Sequence, residues 1–367
     1  LAIFARIGTM KVYYYHTIDT VQVYADWQAG RFPGHFLYGA THLPKYGIDV
    51  VFHRPIRPRY RWMLTLHTAW RILTCRTRFD AIYATTFRGM EILIFLRALR
   101  LYRKPIFVWH HQSVRRAKNP LREFVARLFY RGMDHLFFFS DQLLTDSLRS
   151  SKAKQARMSV ARWGADLDYY DRLTAQFGTA DRRGFISTGR ELRDMPTLVT
   201  AFNSAGQPLD IYICRHYLGD NYEQQFRAMQ LAPNVKVHFV EGMVHREMSC
   251  LVNRAQCVVV CCHASDYTVG LTTVVEALAL GLPLICTRNP QMPIDIENAG
   301  CGIVVDVADA GGWERAVMYL ATHPSVAQEM GKRSRQIAEQ CLNLENCAED
   351  VARILKREIR SPSISLP

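Results

Sequence analysis

The hydrophobic pattern of this chain alternates between two lengths. Short runs rich in β-branched and aromatic residues alternate with longer stretches whose apolar positions recur at helical spacing. In the first half the runs Lys11–Tyr15, Asp49–Phe52, Ala81–Ala84, Pro105–Trp109 and His135–Phe139 predict strands. The stretches Phe36–Tyr46, Trp62–Cys75, Gly89–Leu101 and Leu121–Tyr130 predict helices, the first of them stopped at Gly47. Between Tyr169 and Arg183 polar and small residues interrupt the rhythm, which predicts a domain boundary.

The rhythm then restarts. Strands are expected at Gly184–Thr188, Leu209–Ile213, Val235–Val240, Val258–Cys261, from Pro283, and at Gly302–Asp306. Helices are expected at Met195–Phe202, His245–Arg254, just after Gly270, and at Trp313–Leu320, Val326–Gln340 and Cys347–Ile359. Alternation of this kind predicts parallel sheets covered on both faces. The fold expected is α/β, with two Rossmann-like doubly wound domains over residues 10–175 and 183–340 facing a central cleft. A closing helix over 341–360 is expected to cross back to the first domain. Ligands of such sheets bind outside the carboxyl ends of the strands, here in the cleft.

Composition sharpens this picture. At 367 residues the chain suits two cores rather than one. Apolar content of 49% and charged content of 22% are those of a folded protein, and no run reaches the roughly 18 apolar residues of a membrane span. Residues 1–9 are expected to be an extension ahead of a natural start at Met10, and the tail from Ser361 is expected to fray. Ten cysteines without a C-x-x-C read as buried, reduced thiols, which places the chain in a reducing compartment, most simply the cytoplasm. The net charge of +13 is lopsided, because residues 1–170 hold 27 Lys+Arg against 11 Asp+Glu. That half should face an anion. Arg54–Arg61 and Arg115-Arg116-Ala-Lys118 suit a lipid phosphate or the inner face of a membrane, with the protein peripheral there. Without zinc-finger spacing, an RNP-like aromatic run or a basic heptad helix, no nucleic-acid partner is expected.

Four groups of residues carry candidate chemistry. Gly34 and His35 lie between the first strand and the first expected helix, where glycine lets backbone approach a phosphate or sugar. His110 and His111 end a buried strand and pair with Gln112 and Ser113 as hydrogen-bonding groups for a polyol. Gly189, Arg190 and Arg193 lie between a strand and its helix, where a guanidinium can hold a diphosphate, while Asp194 is placed to cap that helix. Finally, Thr268-Val269-Gly270-Leu271-Thr272 leads into a helix carrying Glu276 among Val274, Val275, Ala277 and Leu278. A helix N-terminus offers unsatisfied N–H groups to phosphates, and a lone carboxylate on such a helix is suited to ribose hydroxyls.

In this order and spacing the four groups resemble the metal-independent retaining glycosyltransferases of the GT-B fold, in particular the large family 4 (glycosyl transferases group 1). The resemblance runs from Met10 to about Ile359 and includes Trp163-Gly-Ala-Asp166 with Tyr169-Tyr170, and Asp295–Gly302. It implies a nucleotide-sugar donor, UDP- or GDP-linked, a glycan or lipid-linked acceptor, and no metal or other cofactor. It implies that Gly189-Arg190 supports the donor diphosphate, that Glu276 binds the ribose, and that His111, or else His110, lies beside the transferred sugar. Arg193 stands near the place of the family's lysine. Two features depart from the family. Thr268 stands eight positions before Glu276, where most members carry an acid, and Gly270 precedes Glu276 by one residue more than is common. The departure leaves open a noncatalytic GT-B-like nucleotide-binding or scaffold protein, and a nucleotide-sugar epimerase on the same fold.

Overall fold

A computed structural model describes residues 9–56, 59–179, 182–241 and 245–360. Residues 1–8 of the expected extension, Arg57 of the arginine-rich segment and the tail from Ser361 lie outside the described residues. The chain divides into two compact units: residues 34–163 with the segments 1–29 and 344–367, and residues 164–343 with the segment 30–33.

The first unit is built on six parallel strands, β1 (Met10–Tyr15), β2 (Ile48–Phe52), β3 (Ala81–Ala84), β4 (Ile106–Trp109), β5 (His135–Phe138) and β6 (Met158–Val160), in the order β2-β1-β3-β4-β5-β6. Strands β3, β4 and β5 are buried at every residue, as sheets covered on both faces require. The covering helices are α1 (Thr20–Gln28), α2 (Arg61–Leu73), α3 (Glu91–Ala98), α4 (Pro120–Arg131) and α5 (Asp141–Leu148). The strand order reverses between β1 and β3, which makes their carboxyl ends the place for a ligand.

The expected helix Phe36–Tyr46 does not form. Two short 3-10 turns, Gly34–Leu37 and Leu43–Tyr46, stand in its place. Tyr38 (φ 50°) and Gly39 (φ 82°) both take the left-handed conformation, which no α-helix continues through. Helix α1 was not expected, because a single one of its residues, Thr20, is buried and its apolar periodicity is weak. Its visible signal is the cap, in which the Asp19 carboxylate accepts the Gln22 N–H at 3.1 Å.

The second unit has the strands β7 (Phe185–Ser187), β8 (Leu209–Ile213), the two-residue pair β9 (His216–Tyr217) and β10 (Asp220–Asn221), then β11 (Val235–Phe239), β12 (Cys257–Val260), β13 (Leu284–Thr287) and β14 (Gly302–Val305). Its main sheet is parallel in the order β11-β8-β7-β12-β13-β14, the 3-2-1-4-5-6 order of dinucleotide-binding folds. The helices are α6 (Leu167–Phe177), α7 (Met195–Ala205), α8 (Tyr222–Arg227), α9 (His245–Asn253), α10 (Leu271–Ala279), α11 (Ala310–Thr322) and α12 (Pro324–Gln340). The order reverses between β7 and β12, so the loops after those two strands define the ligand end of this sheet.

The units divide at Trp163/Gly164, ahead of the polar stretch that suggested a boundary near residue 175. That stretch opens with α6, whose Tyr169, Tyr170 and Leu173 are buried and which packs on α9. Gly164 itself lies against the Leu342 backbone, where no Cβ fits. The closing helix α13 (Leu344–Arg360) belongs to the first unit, and Gly39 packs against its Ala348.

Candidate functional site

In the second unit the loop after β7 and the loop after β12 are laced together. The Asp194 N–H donates to the Cys261 carbonyl (3.1 Å), the His263 N–H donates to the Leu192 carbonyl (2.9 Å), and Arg193 bridges Cys262 in antiparallel fashion. The turn that allows this uses two left-handed residues, Gly189 (φ 99°) and Leu192 (φ 50°). Gly189 has a specific reason to be glycine: a Cβ there would run into the guanidinium of Arg193, which folds back beneath the turn.

Arg193 is 3% exposed. Its guanidinium donates to the Thr188 carbonyl (3.0 Å), the Glu191 carbonyl (3.2 Å), Cys262 Sγ (3.0 Å) and Thr273 Oγ1 (3.3 Å). Each of these acceptors is neutral. Among the described residues no carboxylate forms an ion pair with it, and Glu191 turns its own carboxylate to the Tyr267 hydroxyl. Asp194, next in sequence, caps α7 by accepting from the Thr197 N–H and hydroxyl at 3.2 and 2.7 Å, as expected from its position. A buried cation without a countercharge is costly unless an anion joins it.

Thr273 places that cation against the first turn of α10. The helix begins after Gly270, which has φ 85° and no side-chain cap. A Cβ at Gly270 would lie 2.6 Å from Val260 Cγ1, so both the backbone conformation and the close approach to β12 require glycine. Val269 and Leu271 are buried in packing, whereas Thr272 is exposed at the helix start and Thr268 is half-buried. The Thr268 carbonyl accepts the Leu271 N–H at 3.1 Å. The helix dipole and the guanidinium therefore present positive potential from one loop–helix junction.

Glu276 lies on the second turn of α10, half-buried. Its Oε1 accepts from Ser249 Oγ of α9 (2.6 Å) and from the Tyr170 hydroxyl of α6 (3.4 Å). Burial lifts its carboxyl to about 7, against the pull of these two hydroxyls, which favour the charged form. The segment containing Tyr169-Tyr170, singled out in the sequence, thus reaches the carboxylate directly.

Arg190 stands apart from Arg193. It is exposed, with its guanidinium over the Tyr217 ring at 4.7 Å from the centroid. Tyr217 lies on the β9–β10 hairpin, whose central residues Leu218 (φ 47°) and Gly219 (φ 101°) are both left-handed, as a type I′ turn requires. The guanidinium buried at the helix start is therefore that of Arg193, not Arg190.

In the first unit the two histidines after β4 separate into different roles. His110 is buried and both its ring nitrogens are engaged, Nδ1 with the Gln112 carbonyl (2.8 Å) and Nε2 with the Tyr130 hydroxyl (2.8 Å). A carbonyl can only accept, so Nδ1 carries the proton and Nε2 accepts from Tyr130. Burial lowers its pKa to about 4. His111 is exposed, and its Nε2 donates to the Thr85 carbonyl after β3 at 2.9 Å. It therefore stands at the switch point of the first sheet, together with His16 at the exit of β1. Burial lowers the His16 pKa to about 3, with His111 adding repulsion. His16 was missed in the sequence; its signal was a polar residue directly after the apolar run Val12–Tyr15. Gly34 and His35 are both buried in the short 3-10 turn. Gly34 packs against Trp27 and Leu344, while the His35 carbonyl accepts from Trp163 Nε1 at 3.0 Å, so both residues serve packing here.

Residues 205–337 match the family model described as Glycosyl transferases group 1. Among solved structures the chain is similar to the sucrose-phosphate synthase of Thermosynechococcus elongatus, at 14% identity over 96% of this chain and 100% of that one, with a TM-score of 0.72. It is similar to a glycosyltransferase from Rickettsia africae at 12% identity over 97% and 100%, with a TM-score of 0.68. It is similar to Anabaena HepE in complex with UDP-glucose at 14% identity over 95% and 100%, with a TM-score of 0.64. These likenesses establish the fold. No curated protein matches the chain in sequence.

Proposed function

We propose that this chain, which has the GT-B fold and whose residues 205–337 match the glycosyl transferases group 1 model, moves a hexose from a UDP- or GDP-sugar to a glycan or lipid-linked acceptor, with retention and without a metal ion. The observation that carries the proposal is Arg193, a buried guanidinium held by neutral acceptors beside the uncapped start of α10. Breaking the anomeric C–O bond leaves the bonding electron pair on the donor diphosphate. Arg193 and the α10 N–H groups stabilise that growing negative charge, a task otherwise given to a divalent cation. Glu276 accepts from the ribose hydroxyls, and the Ser249 hydroxyl holds its carboxylate in place. HepE, similar in fold, is seen with UDP-glucose, which favours UDP as the first base to try. In the first unit, exposed His111 is the hydrogen-bonding group for the sugar. Retention rests on the family resemblance alone.

The test is incubation with UDP-glucose or GDP-mannose and a glycan or lipid-linked acceptor, with product configuration read by the anomeric proton coupling. Transfer with an inverted anomeric centre would overturn the retaining assignment. A second reading is favoured by one residue, Thr268, which is no acid. A noncatalytic nucleotide-binding protein would bind UDP-glucose yet release no UDP in the presence of any acceptor.

A further inference from the structure

Helix α2 is apolar on two faces. Leu64, Thr68, Ala69 and Ile72 are buried against the first unit. On the other side Trp62, Leu66, Trp70 and Leu73 are 62, 52, 59 and 56% exposed. Their spacing aligns them in one stripe along the helix. Tyr60 extends the stripe at the helix start, where its ring stacks with Trp62 at an interplanar angle of 10° and Arg59 lies 5.4 Å from its centroid. The same unit exposes further apolar side chains: α3 packs beside α2 and is followed by Leu99 and Leu101, and α4 packs beside α3 and exposes Leu121 and Phe124.

The sequence that carries the stripe is strongly basic. Between Asp49 and Asp80 the sequence has no carboxylate. Arg54, Arg59, Arg71, Arg76 and Arg78 are exposed, while Arg61 pairs with Glu91 at 2.7 Å. An exposed Trp/Leu stripe bordered by arginines matches a helix lying in a lipid interface, its rings at headgroup depth and its guanidiniums on phosphates. A second copy of this chain fits poorly, because it would bring another strongly basic half against this one.

We propose that α2 is the docking element by which the first unit lies on an anionic lipid bilayer, with Trp62, Leu66, Trp70 and Leu73 entering the headgroup–acyl boundary. The proposal deepens, and rests on, the reading of the basic unit as facing a membrane and a lipid-linked acceptor. Such docking would hold the acceptor side at the surface where lipid-linked acceptors reside.

The experiment is flotation of the full chain with vesicles of phosphatidylcholine and phosphatidylglycerol at about 7:3, against vesicles of phosphatidylcholine alone. The protein is expected to float with the anionic vesicles and to lose that partitioning as salt is raised. Trp62→Ser with Trp70→Ser, both at exposed positions, should lower partitioning by about tenfold or more. Arg71→Ser should lower it by about fivefold, and only for anionic vesicles. Equal binding to both vesicle types, or unchanged flotation of the tryptophan variant, overturns the proposal. So does a concentration-dependent dimer that the tryptophan variant abolishes, since a second copy would then cover the stripe. Thermal response to UDP-glucose, measured on the same preparations, keeps the two readings separate. Flotation without that response contradicts only the donor assignment, and the response without flotation contradicts only the membrane one.

Discussion

Arg193 and Glu276 are opposite cases of one problem, a charge drawn out of water. Arg193 gains four hydrogen bonds and no countercharge. Replacing it with methionine keeps most of the volume and removes the stranded cation. We expect Arg193→Met to melt no lower than the parent without ligand, yet to lose the thermal response to UDP-glucose and about 10²–10³ in transfer rate. Arg190→Met, at an exposed stacking position, should lose far less. An equal loss in both variants would remove Arg193 from its special place.

Glu276 is a half-buried acid. Its carboxyl is raised from 4.5 to about 7 by burial, so between those values the folded state holds a proton that the unfolded state has released. Stability from this group therefore falls as pH rises through that window. Glu276→Gln should raise the melting temperature at pH 8 more than at pH 5, and should abolish the response to UDP-glucose. A variant that melts higher and still responds would show that the carboxylate does not bind the ribose. Both residues were legible in the sequence as polar groups in apolar or glycine-rich surroundings. The division of labour between Arg190 and Arg193 was not, since it depends on a turn at Leu192 that no sequence pattern marks.

At the scale of elements, the strands were legible because nearly continuous apolar runs of β4, β5 and β12 have no other explanation. Elements with little buried surface escaped, α1 and the β9–β10 hairpin among them, and so did the two-turn helix α5. The α5 start was signalled by Ser140, whose hydroxyl accepts the Leu143 N–H at 3.3 Å. The false helix over Phe36–Tyr46 shows the converse: apolar spacing was present, but Tyr38 and Gly39 turn left-handed as the chain passes α13, a contact distant in sequence. Gly189→Ala forces a side chain into a left-handed backbone position and against the Arg193 guanidinium. It should destabilise the protein by about 1–3 kcal/mol in denaturant melts and weaken UDP-glucose binding with it. Gly206→Ala, at φ 66° with open space around it, should show the backbone strain without the effect on binding.

For the molecule as a whole, a strand-order reversal in each of the two parallel sheets sets where the loops of that sheet converge. In the second unit the reversal falls between β7 and β12 and brings Arg193 to the start of α10; in the first it falls between β1 and β3 and brings His16 and His111 together. The alternation of elements made the architecture legible, whereas the order of strands, and so the site of convergence, is a tertiary property. Burial lowers His16 and His135 to about 3, and His53, His110 and His245 to about 4. Unfolding lets each take up a proton below about pH 6.5, so stability is full above that value and is lost as pH falls toward 4. These five outweigh the opposite contribution of Glu276. The melting temperature should drop by on the order of 10 °C between pH 7 and pH 5. A flat profile over that range would mean that the buried histidines are not held neutral.

We propose that the second unit binds a nucleotide sugar through Arg193 and Glu276. Calorimetric titration of UDP-glucose and GDP-mannose into the parent and into Arg193→Met and Glu276→Gln tests it most directly. We expect saturable binding of one of the two donors by the parent, without added metal, and its loss in both variants. Binding that survives in both variants, or no binding of either donor by the parent, would contradict it.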